Sequence, residues 1–260
     1  MKIAWLHFTL SGGPMEDNVD KISQGIADAA KAGAQWILTP EMALQGYFMT
    51  RMERTYEIIS LNSAVITHFQ ELAKYYKITL FLGCAEHDEI NGNNYNSCIV
   101  IGANGAVIGR HRKMKTVKWI TEAWSVPGEK LTMLCCDKIN TGILVCADAW
   151  FEENAIALGE CGAEAIVVIA AWPPGCGGPP ENAWRRCSNS SGGLVVLICN
   201  QTGKINGMDC TIAKSAVVID GELKLKYCGV EAILLAEIDL KNKQILSEKF
   251  KVIEMEVAEA

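Results

Sequence analysis

Short, nearly continuous apolar runs alternate along this chain with longer segments whose apolar residues recur at every third or fourth position, the signature of buried strands interleaved with covering helices. Lys2 to Phe8 reads as the opening strand. Asn18 then caps or precedes a helix with apolar positions Val19, Ile22, Ile26, Ala29 and Ala30, which Gly33 ends. Trp36 to Thr39 is a second strand, stopped by Pro40-Glu41. One or two helices are predicted between Tyr56 and Tyr76, followed by a strand from Ile78 to Gly83. Tyr95 to Gly102 and Ala106 to Arg112 flank Ala103-Asn104-Gly105, a hairpin signal. Ile143 to Val145 is a short buried strand running into Cys146, with a helix from Asn154 to Glu160 behind it, closed by Gly162. Strands follow at Glu164 to Ala170, Leu194 to Asn200, Ala216 to Ile219 and Glu231 to Ile238. This alternation, broken by hairpins, predicts an α/β protein with two mixed sheets between helices.

A chain of 260 residues can bury a full core, and folds of this size are often single domains, so one domain over 1–260 is expected. Half of the residues are hydrophobic and 21% are charged, which excludes disorder as the main description. The formal net charge of −6 gives no pull toward nucleic acid or an anionic membrane. No apolar span reaches membrane-crossing length, and the amino terminus turns polar at Ser11-Gly12-Gly13-Pro14, too early for a signal peptide. A cytoplasmic protein is expected. Reduced thiols explain the eleven cysteines better than a disulfide framework, because the number is odd and no export signal is read ahead of them. No Cys-x-x-Cys pair occurs. The four histidines, His7, His68, His87 and His111, are scattered, so a zinc site is not expected. The loop from Gly175 to Pro180 carries no phosphate-cradle motif.

Candidate chemistry gathers where strands end, which is where open α/β sheets bind ligands. Glu41 and Cys146 both lie at such ends and could share a crevice. Beyond the hairpin come Arg110, His111, Arg112, Lys113, Lys115 and Lys118, a run that reads either as a solvated sheet edge or as a nucleic-acid patch. Its shortness, in an acidic protein, argues against nucleic acid. The loop from Trp119 to Gly128 sets one carboxylate, Glu122, among aromatic residues, and loops this apolar usually line or cover something. Taken singly, a buried cysteine is a small hydrophobe, a Pro-Glu a solvated acid and a lysine in a basic run a surface charge.

In chain order, Pro40-Glu41-Met42-Ala43-Leu44-Gln45-Gly46-Tyr47, Arg112-Lys113-Met114 and Cys146-Ala147-Asp148-Ala149-Trp150-Phe151-Glu152-Glu153 resemble the Glu-Lys-Cys hydrolases of the nitrilase, or carbon-nitrogen hydrolase, superfamily. The resemblance covers nearly the whole chain. It includes the Tyr95-Asn96-Ser97 hairpin leading to the lysine, Glu122 before Pro127-Gly128, Gly162-Ala163 before the strand ending at Trp172, Asn200-Gln201-Thr202-Gly203, and Glu237-Ile238-Asp239. It implies a four-layer α-β-β-α sandwich with two mixed sheets and an enzyme without cofactor or metal. It also implies a homodimer or higher homo-oligomer, with helices near Glu153 to Glu160 and Trp184 to Ser191 in the contact.

The chemistry implied is nucleophilic. A thiol attacks well only once its proton is removed, and with no histidine near Cys146 in any motif, Glu41 is the available base, its pKa raised by desolvation. Lys113 would favour the thiolate and donate to the oxyanion, with the backbone N–H of Ala147 as a second donor. Loss of ammonia or an amine would leave an acyl-thioenzyme, which water releases as the acid. Glu122, matching the family's second glutamate, would hold Lys113 or the substrate. Ala147-Asp148 is closer to the amidase and carbamoyl-hydrolase branches than to nitrilases, which often have Trp then Glu there. A small linear amide is therefore expected as substrate, an ω-amide or a carbamoyl amine; a nitrile is the alternative, as is transfer of the acyl group to an amine. Trp150 and Trp172 are candidate pocket walls, and with Trp184 they read equally well as core or subunit-contact residues. Arg186-Cys187-Ser188-Asn189-Ser190 and Ile212-Ala213-Lys214-Ser215 depart from the family's pattern.

Overall fold

The computed structural model describes residues 1–10, 13–51, 56–117, 121–175, 178–205 and 208–254. Ser11, Gly12, Lys118, Trp119, Ile120 and Cys176, named above in loops, lie outside the described residues. In chain order the elements are β1 (Lys2–His7), α1 (Met15–Lys31), β2 (Trp36–Leu38), α2 (Ala64–Tyr76), β3 (Thr79–His87), β4 (Asn94–Ile101), β5 (Val107–Arg112), β6 (Thr132–Cys136), β7 (Ile139–Val145), α3 (Glu152–Glu160), β8 (Ala165–Ala170) and α4 (Pro180–Ser190). They continue with β9 (Val195–Asn200), β10 (Lys204–Ile205), β11 (Met208–Asp209), β12 (Ser215–Ile219), β13 (Glu222–Tyr227), β14 (Ala232–Asp239), β15 (Gln244–Ile245) and β16 (Lys251–Glu254).

Two mixed sheets result, as the pattern predicts. The first runs β15-β14-β1-β2-β3-β4-β5, with β16 also on β14, and the second runs β13-β12-β9-β8-β7-β6. Each has a parallel centre, β1-β2-β3 in one and β7-β8-β9 in the other, flanked by antiparallel strands. Strand periodicity sorts the first sheet's side chains. Ile3, Trp5, Trp36, Leu38 and Phe81 pack with Ile143, Val145, Val167 and Leu197 of the second sheet. Their neighbours Ala4, Leu6, Ile37, Leu80 and Leu82 pack with Ile22 and Ile26 of α1 and Ile66 and Phe69 of α2. Helices α3 and α4 complete the four layers, contributing Leu158 and Trp184. Strands buried on both faces explain the unbroken apolar runs.

Several boundaries differ from the sequence reading. Helix α1 begins at Met15, so Asn18 lies inside it, buried, and donates to the Leu44 carbonyl at 2.9 Å instead of capping. Between Tyr56 and Tyr76 there is one helix, capped by Ser63, whose side chain accepts from the Ile66 N–H. The basic run is no solvated edge: His111 and Lys113 are buried, and Arg110 and Arg112 pair with Glu86 and Asp88. No helix among the described residues is long and apolar enough to cross a membrane.

Candidate active site

The carboxyl ends of β2, β5, β7 and β8 bring the predicted residues together. Beyond β2 the chain turns at Thr39-Pro40 and places Glu41 fully buried, its N–H donating to the Ala170 carbonyl at the end of β8 at 3.3 Å. Gly83 of β3 permits this turn, because a Cβ there would lie 2.2 Å from the Pro40 carbonyl oxygen. Lys113 is the first residue past β5. Its N–H donates to the Asn96 carbonyl and its own carbonyl accepts from Gly128, each at 2.8 Å. Gly128 is again a site of close approach, since a Cβ would lie 2.2 Å from the Arg112 oxygen.

The side chains converge on the Lys113 ammonium. Nζ donates to Glu41 Oε1 at 2.7 Å and to Glu122 Oε1 at 2.5 Å, and all three residues are buried. Asn96 Nδ2 reaches the same two oxygens, at 2.7 and 3.3 Å. Glu41 Oε2 accepts from the Ala171 N–H at 2.9 Å, and Glu122 Oε2 from the Val117 N–H at 2.9 Å. Tyr47 donates its hydroxyl to Glu122 Oε1 at 2.9 Å. Burial holds that phenol's pKa well above its ordinary value, so it stays a donor.

Cys146 follows β7 directly and opens a 3₁₀ turn, Cys146–Trp150, with φ of 48°. A non-glycine residue in the left-handed region costs about 1–3 kcal/mol, and such strain clusters at active sites and switch regions. The thiol is buried, with the Glu41 carboxylate as its strongest acidic influence. Burial first, then the charge of Glu41, pushes its pKa well above the usual value, while Lys113 pulls the other way. Burial also raises the Glu41 carboxyl, against the opposing pull of Lys113. At Lys113 burial works against the charge, but Glu41 and its neighbours outweigh it and hold the ammonium's pKa well above normal. The arrangement is a protonated thiol beside a carboxylate of raised basicity, with a fixed cation between two acids.

Of the other expected residues, Ala147 sits half-buried inside the 3₁₀ turn. Trp172 is buried and pinned through both its backbone N–H and carbonyl, each 2.9 Å from the Asn200 amide. Its ring lies 5.9 Å from Trp150 and 6.3 Å from Trp184, which is fully buried. Trp184 is therefore a core residue, whereas Trp150 is half-buried with the Arg186 guanidinium over its ring at 4.8 Å. Sequence reasoning missed the polar roles of Tyr47 and Asn96 and the pairing of His111 with Asp148 at 3.0 Å. A polar Asn96 within an apolar hairpin strand was the available signal.

The carbon-nitrogen hydrolase profile matches residues 14–243 of this chain. The chain belongs to the carbon-nitrogen hydrolase family. Among curated relatives of this hydrolase, the citrullinase of Francisella tularensis subsp. tularensis is 29% identical over 276 residues, covering 98% of this chain and 91% of that protein. Nitrilase homolog 2 of Dictyostelium discoideum is 26% identical over 172 residues, 63% of this chain and 52% of that protein, so the chain matches about half of that relative's length. In fold, the hydrolase superposes with a TM-score of 0.81 and 22% identity on a glutamate-to-glutamine variant of the amidase from Nesterenkonia sp. AN1, covering 94% of this chain and 92% of that one. That variant shows covalent addition of the acetamide moiety of fluoroacetamide at its active-site cysteine.

Proposed function

We propose that this carbon-nitrogen hydrolase cleaves a small linear amide through a covalent thioester on Cys146. The observation that carries the reading is the buried Lys113 ammonium, held at 2.7 and 2.5 Å by Glu41 and Glu122 beside a thiol in a left-handed turn. Glu41 takes the thiol proton as sulfur attacks the amide carbon. Charge then moves to the substrate oxygen, where Lys113 Nζ and the Ala147 N–H serve as donors. The proton on Glu41 passes to the leaving nitrogen, ammonia or an amine departs, and the acyl group stays on sulfur. Water, deprotonated by Glu41, then attacks the thioester and releases the acid and the thiol. Glu122, with Tyr47 and Asn96, keeps Lys113 in place. Trp150 and Trp172 line the acyl side.

An ω-amide or a carbamoyl amine is the substrate class that the Ala147-Asp148 sequence after the thiol supports, and likeness to a citrullinase and to an amidase points the same way. Ammonia release from a panel of ω-amides, carbamoyl amines and nitriles, with Cys146→Ala as control, tests this. Turnover of amides above nitriles is expected, with an acyl adduct on Cys146 visible by intact mass. Full turnover in the Cys146→Ala protein sinks the thiol mechanism, and preference for nitriles or transfer to added amines replaces the hydrolytic amide reading. The functional unit is proposed to be one domain that pairs with a second copy through α3 and α4.

A further inference from the structure

Asp148, two residues beyond the thiol, is fully buried and takes no part in the steps above. Its carboxylate nonetheless gathers both halves of the site. Oδ1 accepts from the N–H groups of Met114 at 3.0 Å and Lys115 at 2.9 Å, the two residues just past Lys113. Oδ2 accepts from the N–H of Val145, just before the thiol, at 3.2 Å, and contacts Nε2 of buried His111, two residues before Lys113, at 3.0 Å. Lys113 is thus bracketed on either side by groups fastened to one carboxylate, and that carboxylate sits in the turn that Cys146 opens. The ammonium comes from the first sheet and the thiol from the second, and Asp148 bonds to one residue of each, His111 of β5 and Val145 of β7. Hydrogen bonds to an ionised carboxylate are short and strong, and a donor misplaced by about 1 Å can cost about 100-fold in rate.

We propose that Asp148, braced by His111, is a positioning residue that sets the separation of the Lys113 ammonium from the Cys146 thiol. The proposal rests on Lys113 being the oxyanion donor, and its test compares two reactions of the same sulfur in the full chain. With p-nitrophenyl acetate the sulfur gives its proton to Glu41 and attacks the carbonyl, an oxyanion forms, p-nitrophenolate leaves and an acetyl thioester remains. With iodoethane, which has no acyl group, the sulfur gives its proton to Glu41 and displaces iodide, and no oxyanion forms.

Asp148→Asn keeps the volume and the Oδ1 acceptor but turns an amide NH₂ toward the Val145 and His111 donors. Acetylation, followed as the p-nitrophenolate burst, should slow roughly tenfold more than alkylation followed by mass, with the burst amplitude per folded molecule unchanged. Equal slowing of the two reactions, or none, overturns the proposal. Where Asp148→Asn does not fold, His111→Leu, which removes one of the four donors, should shift the same ratio about threefold, and an unchanged ratio overturns it. A parent chain that releases p-nitrophenolate no faster than Cys146→Ala removes the acyl-transfer reading and this proposal together. A normal parent burst with an unshifted ratio in the variants removes this proposal alone.

Discussion

Glu41 and Glu122 share the single ammonium of Lys113, so a standing thiolate at Cys146 would add a further negative charge to a buried site. Passing the proton from sulfur to Glu41 leaves the total charge unchanged, which makes proton transfer in step with attack the affordable route in a dry environment. Glu41→Gln tests both halves of that statement. The base is lost, so turnover should fall by about 10²–10⁴. The carboxylate charge that helps hold the thiol's pKa up is also lost, so alkylation of Cys146 should rise with pH at lower values than in the parent. A profile that moves to higher pH, or unaltered turnover, contradicts the assignment. In the parent, burial raises the Glu41 carboxyl, so the acid limb of turnover against pH should lie above the ordinary carboxylate range, with activity appearing as Glu41 ionises. Glu41, Lys113 and Cys146 were legible in the sequence because each follows an apolar run or a hairpin that announces a strand end. Tyr47, Asn96 and Asp148 were not, because their work lies in contacts 75, 55 and 37 residues away along the chain, to Glu122, Glu41 and His111.

At the scale of elements, the turn after β2 is the part that must be built to tolerance. Gly83→Ala would set a methyl group 2.2 Å from the Pro40 oxygen and 2.9 Å from the Met42 nitrogen, both backbone atoms. Either β3 or the Glu41 turn must move, so a loss of about 1–3 kcal/mol in a denaturant titration is expected together with a fall in turnover per folded molecule. Ser63→Ala is the contrast. It removes the cap of α2, on the far side of the first sheet, and should cost about 1 kcal/mol while leaving turnover intact. Equal kinetic effects from the two changes would mean that Gly83 has no special bearing on Glu41. Central strands were legible as elements because burial on both faces writes a plain apolar run. The edge strands β6 and β16 were missed, being short and half exposed. Strand β13 was missed although Leu223 and Leu225 alternate with Glu222, Lys224 and Lys226, a period of two that a single exposed edge weakens.

For the molecule as a whole, the two sheets act as separate arms of one site: the first supplies Glu41 and Lys113, the second Cys146 and the Ala171 N–H. Anything that stiffens the second sheet's outer helices therefore bears on the thiol. Helix α3 begins at Glu152, just past the 3₁₀ turn, and packs so closely on α4 that a Cβ on Gly159 would lie 2.7 Å from the Ser191 oxygen. Its Ile156 is 42% exposed, an apolar side chain that a second copy would cover under the proposed pairing. Ile156→Glu adds a fourth carboxylate to a helix that already carries Glu152, Glu153 and Glu160, and makes two copies of α3 repel. Sedimentation velocity should show the parent at twice the chain mass and the variant at one, with the transition moving to higher protein concentration rather than the fold being lost. If pairing also steadies the turn that carries Cys146, turnover of the variant should fall with dilution while its unfolding stays cooperative. A variant that sediments as the parent does would remove α3 from the contact, and a parent that sediments as a single chain would remove the pairing altogether.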